Sequence, residues 1–306
     1  MDCLNQYYGE GFALYNGDTT ELIKNFPDDS MHMELYSPPF SSLYTYSNSD
    51  RDLGNSKDDA QFFEHFHFIT QELYRILKPG RIMAVHCMNL PTSKERDGFI
   101  GIKDFRGDLI REFQSVGFIY HSEICIWKNP VTAMQRTKAL GLLHKQLKKD
   151  SCMSRTGIPD YIIIMRKPGD NPEPVTHTNE TFPVSDWQEY ASPIWEYDFS
   201  PCWWDINQSD TLNARMPKDD ESERHICPLQ LPVIERCLRL YTNEGDVVFT
   251  PFMGIGSEVY QAVKMGRKGI GIELKAAYFD AAVENVKMAE NELNQMTLFD
   301  FVEVRT

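Results

Sequence analysis

The sequence predicts an α/β protein, a doubly wound and mostly parallel sheet built from two stretches of chain with an irregular module between them. Three observations predict it. Apolar runs of strand length alternate with helix-period segments over the first 127 residues, and the same rhythm returns after residue 225. Between these stretches, residues 168–224 are rich in Pro, Asp, Asn and Ser, carry Trp187, Trp195, Trp203 and Trp204, and show little periodicity. Two strand-like runs also end in loops of special chemistry, one stiffened by proline and one loosened by glycine, as at the ligand crevice of an open α/β sheet.

The elements follow in order. MHMELY (31–36) reads as a buried strand ending at Ser37, with a polar loop over 41–57. DDAQFFEHFHFITQELYRIL (58–77) has helical apolar spacing, starts from Asp in its cap region and is expected to end at Lys78-Pro79-Gly80. RIMAVHCM (81–88) reads as a second strand and FRGDLIREFQSVG (105–117) as a helix stopped by Gly117. FIYHSEICIW (118–127) is a third strand and YIIIMRK (161–167) a fourth. After 225 come a helix near 229–241, the strand DVVFT (246–250), a glycine-containing loop, a helix over 257–265, the strand KGIGIE (268–273) and a helix over 275–291. The divisions expected are 1–167, 168–224, 225–291 and a tail at 292–306, with the tryptophans as the small core of the middle module.

Composition narrows the function classes. Hydrophobic residues make up 42% of the 306 and charged residues 25%, an ordinary globular balance. No apolar run approaches the roughly 18 residues of a membrane span, and the N-terminus lacks the basic and apolar regions of a signal peptide. The seven cysteines form no Cys-x-x-Cys pair, so neither a metal site nor a disulfide framework is expected, and a reducing cytoplasm is the expected compartment. The net charge of -14 argues against nucleic acid, but its distribution does not. Residues 128–155 hold seven basic residues (Lys128, Arg136, Lys138, Lys145, Lys148, Lys149, Arg155) against Asp150 alone. Such a strip suits phosphates, and it equally suits a solvated helix face.

The proline loop is Ser37-Pro38-Pro39-Phe40. Two prolines fix φ and exclude a helix, so the chain leaving the strand is stiff. The Ser37 hydroxyl and the Pro38 carbonyl can accept hydrogen bonds from an NH2 group, and Phe40 offers a face to a planar ring. An amino nitrogen held this way keeps its lone pair aimed at an electrophile. The same four residues also make an ordinary proline turn. The glycine loop is Thr250-Pro251-Phe252-Met253-Gly254-Ile255-Gly256-Ser257, and Glu273 ends the next strand at about the offset where a carboxylate binds ribose hydroxyls. Val259 stands where a dinucleotide fingerprint has its third glycine, which argues against NAD.

Together the two loops resemble those of the amino-methylating DNA methyltransferases, whose catalytic tetrapeptide is Asp/Asn/Ser-Pro-Pro-Tyr/Phe/Trp and whose cofactor loop is usually Asp-Pro-Phe-x-Gly-x-Gly. The order, with the catalytic half first, a target-recognition module next and the cofactor half last, is similar to the β-type permutation of that family. His225-Ile226-Cys227-Pro228-Leu229-Gln230 is similar to the segment preceding its cofactor loop, and Asn16-Gly17-Asp18 to the lead-in to its catalytic strand. The resemblance implies the Rossmann-like methyltransferase fold. It also implies S-adenosylmethionine as cofactor and double-stranded DNA as substrate, with direct methyl transfer to an exocyclic amino group. Because a base inside a duplex hides that group, it must be flipped out. Ser37, Pro38, Pro39 and Phe40 are then the catalytic residues, and Asp18, His225, Phe252, Gly254, Gly256 and Glu273 the cofactor contacts. Tyr44, Arg51, Arg136, Lys138, Lys145, Lys148 and Lys149 are the candidate DNA contacts. Plainer roles stay open: Asp18 as a helix cap, His225 as a buried polar residue, Tyr44 as loop packing.

Serine in the tetrapeptide is typical of cytosine-N4 enzymes and favours that base over adenine N6. Thr250 departs from the usual Asp, and a hydroxyl is the weaker acceptor. A non-catalytic DNA-binding protein with a degenerate methyltransferase fold is therefore the reading from another class. RNA and protein-glutamine methyltransferases, which use a similar tetrapeptide, usually place the cofactor loop first, unlike this chain. Gln295-Met296-Thr297-Leu298-Phe299 resembles the peptide by which bacterial replication proteins dock on the sliding clamp, and equally suits an apolar tail folded on the core. No endonuclease motif is present, and a homodimer stays open.

Overall fold

The computed structural model describes residues 3–40, 52–127, 158–196 and 228–303, together with residues 144, 148–150, 152, 206 and 210–212. The chain opens with a hairpin that the sequence reading did not anticipate, β1 (Asn5–Gly9) and β2 (Phe12–Asn16), turned at Glu10-Gly11 with Gly11 at φ 123°. A short helix α1 (Thr19–Leu22) follows, then β3 (Met31–Tyr36), α2 (Asp59–Ile76), β4 (Leu77–Met88), the small β5 (Leu90–Pro91), α3 (Lys94–Asp97) and β6 (Ile102–Lys103). Next come α4 (Phe105–Ser115), β7 (Ile119–Trp127), β8 (Asp160–Arg166), α5 (Val184–Tyr190) and β9 (Ile194–Glu196). The last part is α6 (Leu231–Tyr241), β10 (Val247–Thr250), α7 (Ser257–Lys264), β11 (Lys268–Glu273) and α8 (Ala276–Glu303).

The main sheet runs β1-β2-β11-β10-β3-β4-β8-β7-β9. Its centre, β2, β11, β10, β3 and β4, is parallel throughout, which is the doubly wound arrangement expected. β8 is antiparallel to both β4 and β7. From β3 the chain proceeds to β4 on one side, and from β10 it proceeds to β11 on the other. The boundary between β3 and β10 is therefore the topological switch point, where open α/β sheets bind ligands.

Both faces of the sheet are covered. On one, Phe62, Phe66, Ile69 and Leu73 of α2 interlock with Phe105, Leu109 and Phe113 of α4. On the other, Val233, Ile234, Cys237 and Leu238 of α6 lie against Met33, Leu35, Ile162 and Ile164, while α7 and α8 cover Phe12 and Leu14. Each of these large side chains stabilises the fold by roughly 1.5–3 kcal/mol through burial. The helix α2 is amphipathic and capped as its sequence predicts, the Asp58 carboxylate accepting from Gln61 N at 2.9 Å.

Three expectations are corrected. The helix ends at Ile76 rather than at Lys78-Pro79-Gly80, and the strand begins at Leu77 rather than at Arg81. Leu77 is fully buried and pairs with Met31, so β4 starts directly off α2, and the irregularity is absorbed as a register shift between Met31 and Met33. The stretch after residue 167 is not wholly separate. β9 adds in parallel to the edge strand β7, Tyr190 stacks under Arg236 of α6, and Asn243 holds the backbone at Pro174 and Thr176. Trp187 is 55% exposed and so is no core residue, while Trp203 and Trp204 lie outside the described residues. Finally, α8 runs to Glu303, so the backbone of Gln295–Phe299 is helical rather than the start of a free tail. Among the described residues no helix is long and apolar enough to cross a membrane.

Candidate active site

β3 and β10 are parallel neighbours, with Val248 opposite Met33 and Phe249 opposite Glu34. The proline and glycine loops therefore leave the sheet side by side, although more than 200 residues separate them in the chain. One pocket is lined by Ser37, Pro38, Pro39 and Phe40 from the first loop and by Pro251, Phe252, Met253, Gly254 and Ile255 from the second.

The glycine-loop wall is held by main-chain geometry. Gly254 has φ 55°, and the space where a Cβ would stand is open. Gly256 has φ 90°, and a Cβ there would come within 3.1 Å of Ala282, so this glycine permits the packing of α8. Glu273 ends β11 with one carboxylate oxygen accepting from Gly254 N and the other from Lys275 N, each at 2.8 Å. Each oxygen keeps a further acceptor direction, which suits a vicinal diol. Burial pushes the Glu273 carboxyl up to about 7, against the pull of the backbone N–H groups of Lys275, Gly254 and Leu274.

The lead-in residues serve this wall. Asn16 Nδ2 donates to the carbonyls of Glu273 (2.8 Å) and Leu274 (3.1 Å), and Gly17 N donates to Glu273 O at 3.0 Å. Asp18 caps α1, accepting from Thr20 N at 2.9 Å, and also lines the pocket. Its cap role and its site position are therefore compatible. The Thr19 hydroxyl donates to Pro251 O at 2.6 Å, tying α1 to the glycine loop.

Sequence reasoning missed, among other lining residues, Asp52, Glu258, Lys275 and Tyr278. Asp52 caps a 3-10 turn by accepting from Gly54 N at 2.9 Å, and the Asp-Leu-Gly order was its only signal. Glu258, in the first turn of α7, is nearly buried, and burial pushes its carboxyl up to about 8. Lys275 sits 4.6 Å from the centre of the Tyr278 ring, and both line the pocket. With Asp18 and Glu273, the lining holds four carboxyls and one lysine, and burial raises two of the four, Glu258 and Glu273, toward protonation near neutral pH. Thr250 is not part of the lining: it is 1% exposed and its hydroxyl has no hydrogen-bond partner among the described residues.

On the opposite wall Ser37 Oγ lies 3.1 Å from His86 Nδ1 and 3.4 Å from His86 O. The Phe40 ring meets His86 and Phe105 edge-on, with centroids 6.3 Å apart in both cases. Phe252 lines the pocket and also packs on Tyr36 and Phe66, so it joins the site to the core.

Tyr44, Arg51, Arg136, Lys138, Lys145 and His225 lie outside the described residues, although Pro228 and Leu229, just after His225, line the pocket. Lys148 and Lys149 are described and exposed. A cluster of His32, Glu173 and Asp246 has the spacing of metal ligands but lies at the opposite end of the strands. Its acids are already paired, Glu173 with Lys78 at 2.5 Å and Asp246 with Arg81.

The DNA methylase family model, which covers N6- and N4-methylating enzymes, matches residues 31–284. M.MjaI, a Type II methyltransferase of Methanocaldococcus jannaschii, is 23% identical over 94% of this chain and 94% of its own. A solved DNA modification methylase of Thermus thermophilus, complexed with S-adenosyl-L-methionine, has a TM-score of 0.64 at 23% identity over 90% of this chain and 93% of that one. The PvuII DNA methyltransferase, cytosine-N4-specific, has a TM-score of 0.62 at 16% identity over 95% and 96% of the two chains. The likeness to the two solved structures is one of fold.

Proposed function

Because this chain belongs to the N6/N4 DNA methylase family, we propose that it transfers a methyl group from S-adenosylmethionine to the exocyclic amino group of a flipped DNA base, with cytosine N4 the favoured acceptor. One observation carries the reading: Ser37-Pro38-Pro39-Phe40 and the Gly254 loop line the same pocket at the switch point of the sheet. When bound, the cofactor supplies an electrophilic methyl group on a sulfonium. Glu273 takes the ribose hydroxyls on the acceptor directions its backbone contacts leave free. Gly254 admits the ligand close to the main chain.

On the facing wall the Ser37 hydroxyl and the Pro38 carbonyl accept from the two amino hydrogens, and Phe40 lies against the base. Holding the amino group this way removes it from conjugation with the ring and aims its lone pair. Ser37 favours cytosine because the family's N6 enzymes usually carry Asp or Asn at that place. Thr250 does not undo the site: it is buried outside the pocket lining, and the contacts assigned to the cofactor belong to other residues. Target recognition falls to the stretch between β7 and β8 with its basic side chains and to the Trp-containing module at 168–224.

The test is transfer of tritiated methyl from S-adenosylmethionine to unmethylated bacterial genomic DNA, followed by nucleoside analysis. N4-methylcytosine is expected. N6-methyladenine would correct the base, and no incorporation with cofactor bound would leave a non-catalytic protein.

A further inference from the structure

A serine hydroxyl has one proton and two acceptor directions. To accept from the amino group of a base, Ser37 must send its own proton elsewhere. The structure places an imidazole behind it, with His86 Nδ1 at 3.1 Å from Ser37 Oγ. The other ring nitrogen, Nε2, is buried and lies 3.4 Å from Asp160 Oδ2 without a hydrogen bond of ordinary geometry. The side chains are 12% and 9% exposed, so water screens the pair little.

Strand register produces this alignment. Tyr36 pairs with Val85 in the parallel β3–β4 ladder, so the next residues, Ser37 and His86, fall side by side. In the antiparallel β4–β8 ladder His86 faces Ile162 and Met88 faces Asp160, which puts Asp160 diagonal to His86 on the same face of the sheet. The Phe40 ring packs against the imidazole edge-on.

We propose that His86 and Asp160 are positioning residues that hold the Ser37 hydroxyl as an acceptor facing the target amino group. The inference rests on the function proposed above. Asp160, when ionised, can only accept, so it keeps the imidazole proton on Nε2 and leaves Nδ1 as an acceptor. The Ser37 proton then points at His86, and both hydroxyl lone pairs remain for the pocket. In the opposite tautomer the imidazole would donate to Ser37, leaving the hydroxyl proton the longer 3.4 Å contact with His86 O or the base itself, donor against donor. A carboxylate at position 37 accepts whatever its neighbours do, so the device matters only where serine stands.

The experiment is a cycle of Asp160→Asn, Ser37→Asp and the double variant, read by single-turnover methylation of unmethylated bacterial genomic DNA, with cofactor affinity measured by calorimetry. Asp160→Asn is expected to slow the wild-type enzyme by about tenfold or more, with cofactor affinity within about twofold, and to have no effect beyond about twofold when Asp stands at 37. Equal losses in both backgrounds would overturn the proposal. Nitrogen-15 NMR of the histidines, with His86→Asn for assignment, reads the tautomer directly without turnover. The Nε2–H form is expected in the wild type and the Nδ1–H form in Asp160→Asn, and a wild type in the Nδ1–H form would overturn the proposal even if Ser37→Asp is inactive. Absence of methyl transfer by the wild type would remove the methylation reading instead, and the NMR result would still decide the His86–Asp160 geometry.

Discussion

On the pocket wall built by β10 and β11 the polar contacts all have a main-chain atom as one partner, whereas on the wall built by β3 the shortest contact joins two side chains. Around Glu273, the contacts are main-chain N–H groups of Gly254 and Lys275 and the clamp of Asn16 on two carbonyls. Around Ser37, they are the imidazole of His86, on which the Phe40 ring packs, and the longer contact to the His86 carbonyl. Backbone contacts survive changes of neighbouring residue type. Side-chain contacts do not, so the serine wall is where substrate choice and rate should respond most sharply to substitution.

Predictions that test this contrast run from large to small. Ser37→Ala should lower methyl transfer by about 100-fold or more while cofactor affinity is retained, checked by single-turnover rates beside calorimetry. Equal losses in rate and affinity would erase the division of labour. Gly254→Trp should do the reverse, filling the open space beside that glycine and weakening cofactor binding by about 100-fold or more in the same titration. Gly254 is a cleaner probe than Gly256, where any side chain also presses on Ala282.

The third prediction concerns pH. Burial holds Glu273 up to about 7 and Glu258 up to about 8, so both carboxyls become protonated as pH falls through that range. A protonated Glu273 offers fewer acceptor sites to a diol, and the pocket loses negative charge. Cofactor affinity should therefore fall between about pH 8 and pH 6, and Glu273→Gln should flatten that dependence. Stability of the unliganded protein carries the opposite sign. Both groups are raised above their unfolded values, so the native state binds more protons and loses stability as pH rises from about 4.5 toward 8, measurable by thermal melts across that range. The smallest effect is expected outside the pocket. Charge reversal at Lys145, Lys148 and Lys149 should weaken DNA binding and flatten its salt dependence, with cofactor affinity unchanged.

The parts legible in the sequence were those where local chemistry and tertiary placement agree. β3, β10 and β11 read as short apolar runs, and the loops after β3 and β10 carry proline and glycine that no regular element tolerates well. The illegible parts depended on pairing. The run NQYYGEGFALYN lacks a strong apolar alternation, and it forms a hairpin because β2 gains β11 as a parallel partner. Lys78-Pro79-Gly80 has the composition of a turn and makes one within the strand, Gly80 standing at φ 72° between the Leu77 and Ile82 pairs, while the buried Leu77 stays paired with Met31. His86 and Asp160 carry no signal in isolation, because their nearness to Ser37 and to each other comes from the register of two ladders. Asp52 and Glu258 face the pocket only because of how a 3-10 turn and a helix N-terminus are set against it.

The position of β10 and β11 has a bearing on biosynthesis. The early strands β2 and β3 end up separated in the sheet, and the gap between them is filled by strands made some 200 residues later. During translation the early half exposes two unsatisfied strand edges on either side of that gap, and no partial product can form the ligand crevice. Such a chain closes through long-range pairing, a slow step in which open edges invite aggregation. A methyl-transferring activity thus emerges all at once, when the last two strands slide into the middle of the sheet.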